Sequence, residues 1–368
     1  MDNKKIRAIG AGALVALWAA LTFGAWFGPA KDISESERRP LAQMPEIKAE
    51  TILSGKFMGE FEDFTLDQFP LRDTFRQMKS LFHYYVMNQA DNNDIYVADG
   101  YAAKLEYPLN QTSVAYALNK FQFVYDQYLK DAGSTVFMTV VPDKGYYLAE
   151  ENGYLAMDYK AMFEAFDKEM PWATYIDLTD TLTAESYYRT DTHWRQEHLL
   201  TAADKICQAM GVRPFDGGSF TQTQLDRPFY GVYYGQAALP MKPEALYIME
   251  NEILSQCRVY DLETDSYLDV YNMDMLTSKD LYDVFLSGAK SMVTIENPNA
   301  QTDRELIIFR DSFGSSIAPL LVRDYAKVTL VDIRYLSSQL LDRFMEFNGQ
   351  DVLFLYSTLV LNNSNTIK

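Results

Sequence analysis

The 368-residue sequence contains little cysteine, little histidine and few basic residues relative to acidic ones. The two cysteines, Cys207 and Cys257, exclude a disulfide-rich scaffold and a metal site built on paired cysteines. One disulfide and two buried free thiols both remain open. Lys and Arg number 33 against 51 Asp and Glu, which gives a formal net charge of −18. Because so acidic a chain repels phosphate backbones, nucleic acid is a poor candidate partner.

Charge is absent from residues 8–27, AIGAGALVALWAALTFGAWF, which follow Lys4, Lys5 and Arg7. The run is long enough to cross a bilayer as a helix, and its basic flank is expected to stay in the cytoplasm. It predicts an uncleaved membrane anchor, with a cleaved signal segment as the alternative. The expected organisation is an anchor or signal in 1–30, a juxtamembrane linker in 31–56, and an extracytoplasmic domain in 57–368 whose residues 212–300 are an aromatic-rich insertion.

Hydrophobic patterning in the exported part indicates an α/β fold. Five continuously apolar segments read as buried strands: STVFMTVVPDK, ATYIDL, ELIIF, KVTLVD and DVLFLYS. Helical periodicity predicts helices at about 112–131, 159–170, 196–210, 315–325 and 335–347. Buried strands that alternate with helices predict a doubly wound parallel sheet of about five strands, with helices on both faces. Within the insertion, PFYGVYYG and RVYDLETDSYLDVYN read as strand-like.

One polar cluster, RDSFGSS at 310–316, comes directly after a predicted strand and before a predicted helix. Function in such folds lies at the carboxyl ends of the strands. Ser312 would place its hydroxyl at this edge, close to backbone N–H groups that suit a developing oxyanion. Gly314 would leave room for a substrate acyl group. The alternative is that Asp311 or Ser312 only caps the helix.

A second cluster, RTDTHW, contains one of the three histidines of the chain. Asp191 and His193 are two residues apart, so in an extended segment both side chains project from one side. A carboxylate there can hold the imidazole as a general base for a serine nucleophile. A metal site is the alternative, with ligands drawn from Asp191, His193, Glu197 and His198. The i,i+5 spacing of the two histidines argues against it.

TDTHW followed by RDSFG resembles the DHHW-motif proteins and the related SGNH-hydrolase-like alginate O-acetyltransferases. SESERRPLAQMPE, FEDFTLDQFPLRDTF, VVPDK and RPFYGVYYG extend the resemblance over most of the exported part. It implies an SGNH-hydrolase-like fold in which Ser312 is the nucleophile, His193 the general base and Asp191 its orienting acid. This chain departs from the DHHW name by having Thr192 between Asp191 and His193.

The resemblance also implies acetyl transfer to an extracellular polysaccharide, with the acyl group supplied by a membrane-bound O-acyltransferase partner and no cofactor. Arg310 and Lys144 are candidate charge contributors to the site, with ordinary salt bridges as the alternative. Trp194 is expected to pack and hold the histidine loop, or else to contact sugar. Insertion aromatics are candidate substrate-binding residues: Tyr230, Tyr233 and Tyr234.

Two functions follow from this reading. One is a membrane-anchored, serine-dependent O-acetyltransferase or acetylesterase that acts on a cell-surface polysaccharide through an acyl-serine intermediate. The other is a non-catalytic glycan-binding or scaffold protein of the cell envelope. The presence of Asp191, His193 and Ser312 together favours the enzyme, because a scaffold has no need of all three.

Overall fold

The computed structural model describes residues 3–34 and 36–368 of the chain. Two compact units are distinguished. The first consists of Met1–Asn93 and Tyr234–Pro240, and the second of Asp94–Tyr233 and Met241–Lys368. The boundary expected near residue 57 therefore falls inside the first unit.

The first unit is mainly helical. Its elements are α1 (Asn3–Phe27), β1 (Ile33–Ser34), β2 (Arg39–Pro40), α2 (Ala49–Leu53), α3 (Lys56–Asp67) and α4 (Arg72–Tyr85). Within the described residues, α1 is the helix long and apolar enough to cross a membrane, over Lys4–Phe27. At 1.5 Å per residue this stretch measures about 36 Å, against a hydrocarbon core of about 30 Å.

Residues 31–34 and 36–56 have more secondary structure than the linker that the sequence predicts. β1 and β2 pair antiparallel, and α2 follows them. The guanidinium of Arg39 donates to both carboxylate oxygens of Asp67, at 2.8 and 2.6 Å. Polar contacts such as this one contribute to fixing the segment, and hydrophobic periodicity gives no sign of them.

The elements from Asp94 onward run in chain order as follows: β3 (Ile95–Ala98), β4 (Tyr101–Lys104), α5 (Gln111–Val124) with a π-helical turn at Tyr125–Leu129, β5 (Thr135–Val141), α6 (Gly145–Leu148), α7 (Tyr159–Glu169), β6 (Thr174–Tyr175), α8 (Leu200–Ala209), β7 (Thr221–Gln224), α9 (Val232–Ala237), β8 (Tyr247–Glu250), β9 (Arg258–Asp261), β10 (Ser266–Leu268), β11 (Met292–Glu296), β12 (Glu305–Arg310), α10 (Gly314–Leu321), β13 (Lys327–Val331), β14 (Asp351–Ser357) and α11 (Thr358–Asn362).

An eight-stranded sheet organises the second unit, in the order β10-β9-β11-β13-β12-β14-β5-β6. The five strands β13, β12, β14, β5 and β6 are parallel, which confirms the predicted fold class and strand count. The strands β9, β10 and β11 come from the insertion and extend the sheet antiparallel beyond β13. The sequence marked the 258–268 segment as strand-like without indicating that it joins the main sheet.

Apolar clusters cover both faces of the sheet. Alternate residues of β12 serve the two clusters: Ile308 faces one, and Ile307 and Phe309 face the other. Helices α8 and α10 contribute to the first cluster, and α5, α7 and α11 to the second. Burial on both faces explains why these strands are continuously apolar in sequence.

Two predicted elements are wrong. In place of a helix at 335–347, the structure has a 3₁₀ helix at Ser338–Arg343, whose start is capped when the Ser337 hydroxyl accepts the Gln339 N–H. The strand-like PFYGVYYG pairs at Phe229 in an isolated antiparallel bridge with Glu244, and its second half begins helix α9 rather than a strand. Here Val232 N–H donates to Asp191 Oδ2 and Tyr233 N–H to Thr190 O, so the backbone is bonded to a neighbouring loop rather than to a strand.

Candidate active site

Ser312 lies in a tight turn between β12 and α10. The carboxylate of Asp311 holds this turn by accepting from Phe313 N–H at 3.0 Å and from Ser357 N–H and hydroxyl at 2.8 and 2.6 Å. Because Ser357 ends β14, these bonds fix the turn to the neighbouring strand. The N-cap of α10 is Phe313, which has no side-chain cap, so the Ser312 hydroxyl does not serve as a helix cap.

The hydroxyl of Ser312 faces His193, which faces Asp191. His193 Nε2 lies 2.8 Å from Ser312 Oγ, and His193 Nδ1 lies 2.6 Å from Asp191 Oδ1. Asp191 and His193 are buried, whereas Ser312 is only partly so. With its proton on Nδ1, the imidazole donates to the carboxylate and leaves Nε2 free to accept the serine proton.

Asp191 and His193 occupy a turn rather than the extended segment expected from their spacing. Asp191 Oδ1 also accepts the backbone N–H of His193 at 3.0 Å, and Oδ2 accepts Val232 N–H at 2.8 Å. Three N–H groups therefore converge on one buried carboxylate. Hydrogen bonds of this kind favour the charged carboxylate.

Lys144 holds the loop before His193 through backbone carbonyls. Its Nζ donates to Tyr188 O and Asp191 O, both at 2.6 Å, and approaches Arg189 O at 3.4 Å. The side chain is buried, and this burial lowers the pKa of Lys144 to about 7. Lys144 thus forms neither the salt bridge nor the direct oxyanion contact considered from the sequence. It shapes the loop that carries the acid and the base.

Glu244 and Gly231 hold the same loop from the insertion, and sequence reasoning did not single them out. The Glu244 carboxylate accepts from Arg189 N–H and Thr190 N–H, both at 2.9 Å. A Cβ on Gly231 would lie 2.2 Å from Thr190 O and 2.3 Å from Asp191 Cα. Gly231 therefore permits the close backbone approach that lets Val232 N–H reach Asp191. The glycine in PFYGVYYG was the available signal.

Trp194 joins the histidine loop to the serine turn. Its indole N–H lies 3.1 Å from Phe313 O and 2.9 Å from Ser316 Oγ. Gln196 reinforces the junction by donating to Ser316 O at 2.8 Å. Trp194 is fully buried, so its ring packs between the two loops as expected and has no surface for sugar.

Tyr282 stacks on the imidazole of His193, and the sequence analysis did not single it out. The rings of Tyr282 and His193 are 3.9 Å apart and inclined by 8°. The Tyr282 hydroxyl donates to Ser316 Oγ at 2.7 Å, and burial raises the pKa of this phenol well above its ordinary value. The stack restricts rotation of the imidazole while Asp191 fixes its edge.

Arg310 and Gly314 lie close together beside the serine turn, and Arg310 has the ion pair that the sequence analysis gave as its alternative role. Arg310 is buried, donates to Asp311 O at 3.3 Å and lies 3.9 Å from Asp332. A Cβ on Gly314 would meet Arg310 Cβ at 2.7 Å. The small size of Gly314 therefore accommodates the arginine side chain rather than a substrate acyl group.

The backbone N–H of Ser312 is the candidate oxyanion donor in this turn. The neighbouring N–H groups of Phe313 and Gly314 donate hydrogen bonds within the protein. Among residues 3–34 and 36–368, no hydrogen bond is donated by the N–H of Ser312. An N–H beside the nucleophile is suitably placed for the negative charge that forms on an attacked carbonyl oxygen.

The three insertion tyrosines differ in exposure. Tyr230 is 39% exposed and can present its ring to a ligand, whereas Tyr233 is buried and donates its hydroxyl to Thr192 Oγ1 at 3.1 Å. Tyr233 is 5% exposed and Lys144 Nζ lies 5.1 Å from the centre of its ring, so Tyr230 is the better candidate of the two for a sugar contact. Tyr234 belongs to the first compact unit.

Of the four groups considered for a metal site, Asp191 and His193 come together, whereas Glu197 and His198 do not join them. Over the described ranges no cluster of three or more His, Cys, Asp or Glu side chains is placed to hold a metal ion. His198 is exposed and Glu197 pairs with Arg195 at 2.8 Å. Cys207 and Cys257 are separate buried thiols.

Fold and site together define an α/β protein with a mostly parallel sheet, in which a serine, a histidine and an aspartate are linked by hydrogen bonds. The sequence model of the DHHW protein family matches residues 155–331, just under half of the chain, and this range includes all three side chains. The resemblance to the DHHW family is thereby confirmed. No curated protein matches the sequence.

Solved structures are similar to this chain at low sequence identity, and the first two below share its fold. A DHHW family protein from Eubacterium siraeum is 22% identical with a TM-score of 0.57, over 75% of this chain and 95% of that one. Bacillus cereus PatB1 with a sulfonyl adduct is 17% identical with a TM-score of 0.56, over 73% and 95%. The O-acetyltransferase domain of Pseudomonas putida AlgJ is 14% identical with a TM-score of 0.45, over 73% and 92%.

Proposed function

We propose that this chain is a membrane-anchored, extracytoplasmic O-acetyltransferase or acetylesterase that acts on a cell-surface polysaccharide through an acyl-serine intermediate. The observation that carries the proposal is the continuous hydrogen-bonded path from Ser312 Oγ through His193 to Asp191. A serine hydroxyl is a weak nucleophile until an adjacent base takes its proton, and this path supplies such a base.

In the first half-reaction, Ser312 Oγ attacks the carbonyl carbon of an acetyl ester as His193 Nε2 takes the hydroxyl proton. The Ser312 N–H stabilises the oxyanion, and Asp191 stabilises the imidazolium. When the tetrahedral intermediate collapses, the ester C–O bond breaks and the imidazolium returns its proton to the leaving alkoxide. The products are the released alcohol and acetyl-Ser312.

In the second half-reaction, His193 takes a proton from the incoming hydroxyl group, which attacks acetyl-Ser312. Collapse of this second intermediate returns the proton to Ser312 Oγ and releases the acetylated acceptor. A sugar hydroxyl as acceptor gives transfer, and water gives hydrolysis. Tyr230, with its exposed ring, is the candidate sugar contact because aromatic faces stack on sugars.

The comparisons support the proposal at the level of the fold. The PatB1 structure carries a sulfonyl adduct, and sulfonyl reagents modify nucleophiles. At 17% identity this likeness supports the fold alone, so the assignment of Ser312 depends on the geometry in this chain. We extend the proposal to a membrane-bound O-acyltransferase as the acyl donor partner, as the family resemblance implies, with α1 as the anchor.

The test is acetyl release from an activated acetyl ester, with and without a soluble oligosaccharide acceptor. Ser312→Ala should abolish release, because it removes the nucleophile. Ser315→Ala is the matched control, since Ser315 is a buried serine one helical turn away with no part in the path. Equal acetyl release by wild type and Ser312→Ala, both folded, would remove this serine from the mechanism. No release by folded wild type would leave the glycan-binding alternative.

A further inference from the structure

In helix α4 the apolar face points outward and the polar face packs against protein, which is the reverse of an ordinary helix of a soluble protein. Its exposed face is an apolar stripe with the spacing of one helix face, and we call these residues the α4 stripe: Leu71, Phe75, Met78, Phe82 and Tyr85. Their side chains are between 42% and 80% exposed. A stripe of this size facing water is costly and is characteristic of an interaction surface.

The opposite face of α4 is polar and packs against protein. Ser80, fully buried, donates to Ala237 O at 2.6 Å, and Arg76 donates to Gly235 O at 2.7 Å. Arg72 and Arg76 also pair with Glu37, at 2.5 and 3.2 Å. These bonds fix the rotation of α4 about its axis, so the stripe cannot turn inward without breaking them.

The start of α4 lies against the end of the apolar helix α1. Pro70, two residues before α4, fits so closely against Gly24 that a Cβ there would lie 2.7 Å from Pro70 Cγ. Gly24 is within one turn of Phe27, the last residue of α1. Where α1 crosses a bilayer, this contact places Leu71 and Phe75 at the depth of its outer interface.

Helix α3 secures the same junction. Trp26 donates its indole N–H to Thr65 Oγ1 at 3.2 Å, and its ring lies 5.5 Å from that of Phe61. A segment that is removed after export has no need of such contacts with the mature chain. They therefore favour α1 as a retained anchor over a cleaved signal segment.

We propose that α4 lies on the outer surface of the membrane, with the α4 stripe inserted among lipid headgroups and upper acyl chains. The contact of Gly24 with Pro70 brings the start of the stripe next to the end of the apolar helix α1, which favours lipid over a separate protein as its partner. Interfacial helices bind in this way, with the apolar face buried about 5–10 Å into the headgroup boundary. The proposal depends on the retained anchor proposed above and adds a second membrane contact to it.

The test uses the full-length chain in lipid nanodiscs, with a fluorophore attached to a single introduced cysteine. Phe82→Cys reports on the stripe, and Tyr335→Cys is the matched control, an aromatic of similar exposure (54% against 50%) in the second unit. Cys207 and Cys257 should not react, because both are buried and burial raises the pKa of each thiol to about 12.

The label at 82 should be quenched by lipids that carry a shallow nitroxide and should be severalfold less sensitive to aqueous iodide than the label at 335. Equal iodide quenching at both positions would overturn the proposal. Protection from iodide without lipid quenching would place the stripe against protein and overturn it as well. The intact mass of the purified chain shows separately whether α1 is retained, and these outcomes leave the acetyl-release test of Ser312 unaffected.

Discussion

Replacement of Asp191 by asparagine tests the coupling between the acid and the imidazole. Asp191 Oδ1 accepts from His193 Nδ1 and N–H, while Oδ2 accepts from Val232 N–H. An asparagine amide has one oxygen, so its NH₂ group must face at least one of these donors. Either Val232 N–H loses its acceptor, or the imidazole is driven to the wrong tautomer.

The expected loss is large in turnover and small in stability. Changing the orienting carboxylate of a serine triad to an amide costs about 10⁴-fold in kcat, which corresponds to about 5 kcal/mol of transition-state stabilisation. One lost hydrogen bond to a buried group costs about 1–3 kcal/mol of folding free energy. The buried carboxylate lies away from solvent, so KM should change little.

The assay is steady-state hydrolysis of an activated acetyl ester, paired with urea unfolding of the same preparation. Asp177→Asn is the matched control, because Asp177 is an exposed aspartate earlier in the same connection and should keep full activity. Retention of kcat within about threefold in folded Asp191→Asn, against the loss expected for a triad, would refute the role of the carboxylate.

Substitutions at three further positions test the supports of the site. Gly231→Ala should lower the free energy of unfolding by about 1–3 kcal/mol in urea, and should lower kcat, because its Cβ would meet the backbone of Thr190 and Asp191. A variant as stable as wild type would contradict the close approach. Lys144→Met should remove a pH dependence of the free energy of unfolding. In the folded protein the pKa of Lys144 is lowered to about 7, so above that pH the unfolded chain binds one more proton than the folded one. The free energy of unfolding of wild type should therefore rise from pH 7 to 9, by at most about 1.4 kcal/mol per pH unit. The same rise in the Met variant would assign it to another group. Tyr282→Phe keeps the stack on His193 and should retain kcat, whereas Tyr282→Ala should lower it; equal kcat in the two variants would show that the stack has no role.

The sequence was sufficient to predict the parallel core because its strands are buried on both faces. Continuous apolar runs such as ELIIF and DVLFLYS predict buried strands without knowledge of their partners, and they form β12 and β14. Polar residues directly after such strands drew attention to Ser312 and to the Asp191–His193 pair. Position relative to the sheet and the family resemblance together were enough to select these side chains.

The supports of the site could not be predicted, because they depend on contacts between distant segments. Glu244 holds the 189–190 backbone across more than fifty residues, and Tyr282 reaches His193 from the far end of the insertion. Neither occurs in a local pattern that suggests such a partner. Lys144 and Arg310 were noticed for their charge, whereas their roles follow from burial and from the carbonyl groups around them.

The reversed amphipathicity of α4 was equally hidden from the sequence. Its apolar spacing is that of any helix packed on a core, and only the structure shows that the polar face is the one against protein. The periodicity is therefore the same whether the apolar stripe faces the core or the solvent, and it cannot distinguish the two.

The most direct test of the account is to trap the acyl-enzyme. The protein is mixed with an activated acetyl ester, quenched in acid during the first turnover and digested, and the peptide containing Ser312 is examined by mass spectrometry. The account predicts one acetyl group on Ser312 in wild type and none at this position in Ser312→Ala or His193→Ala. Acetyl transfer to a sugar with an unmodified Ser312 peptide, or acetylation of another residue at a kinetically competent rate, would contradict it.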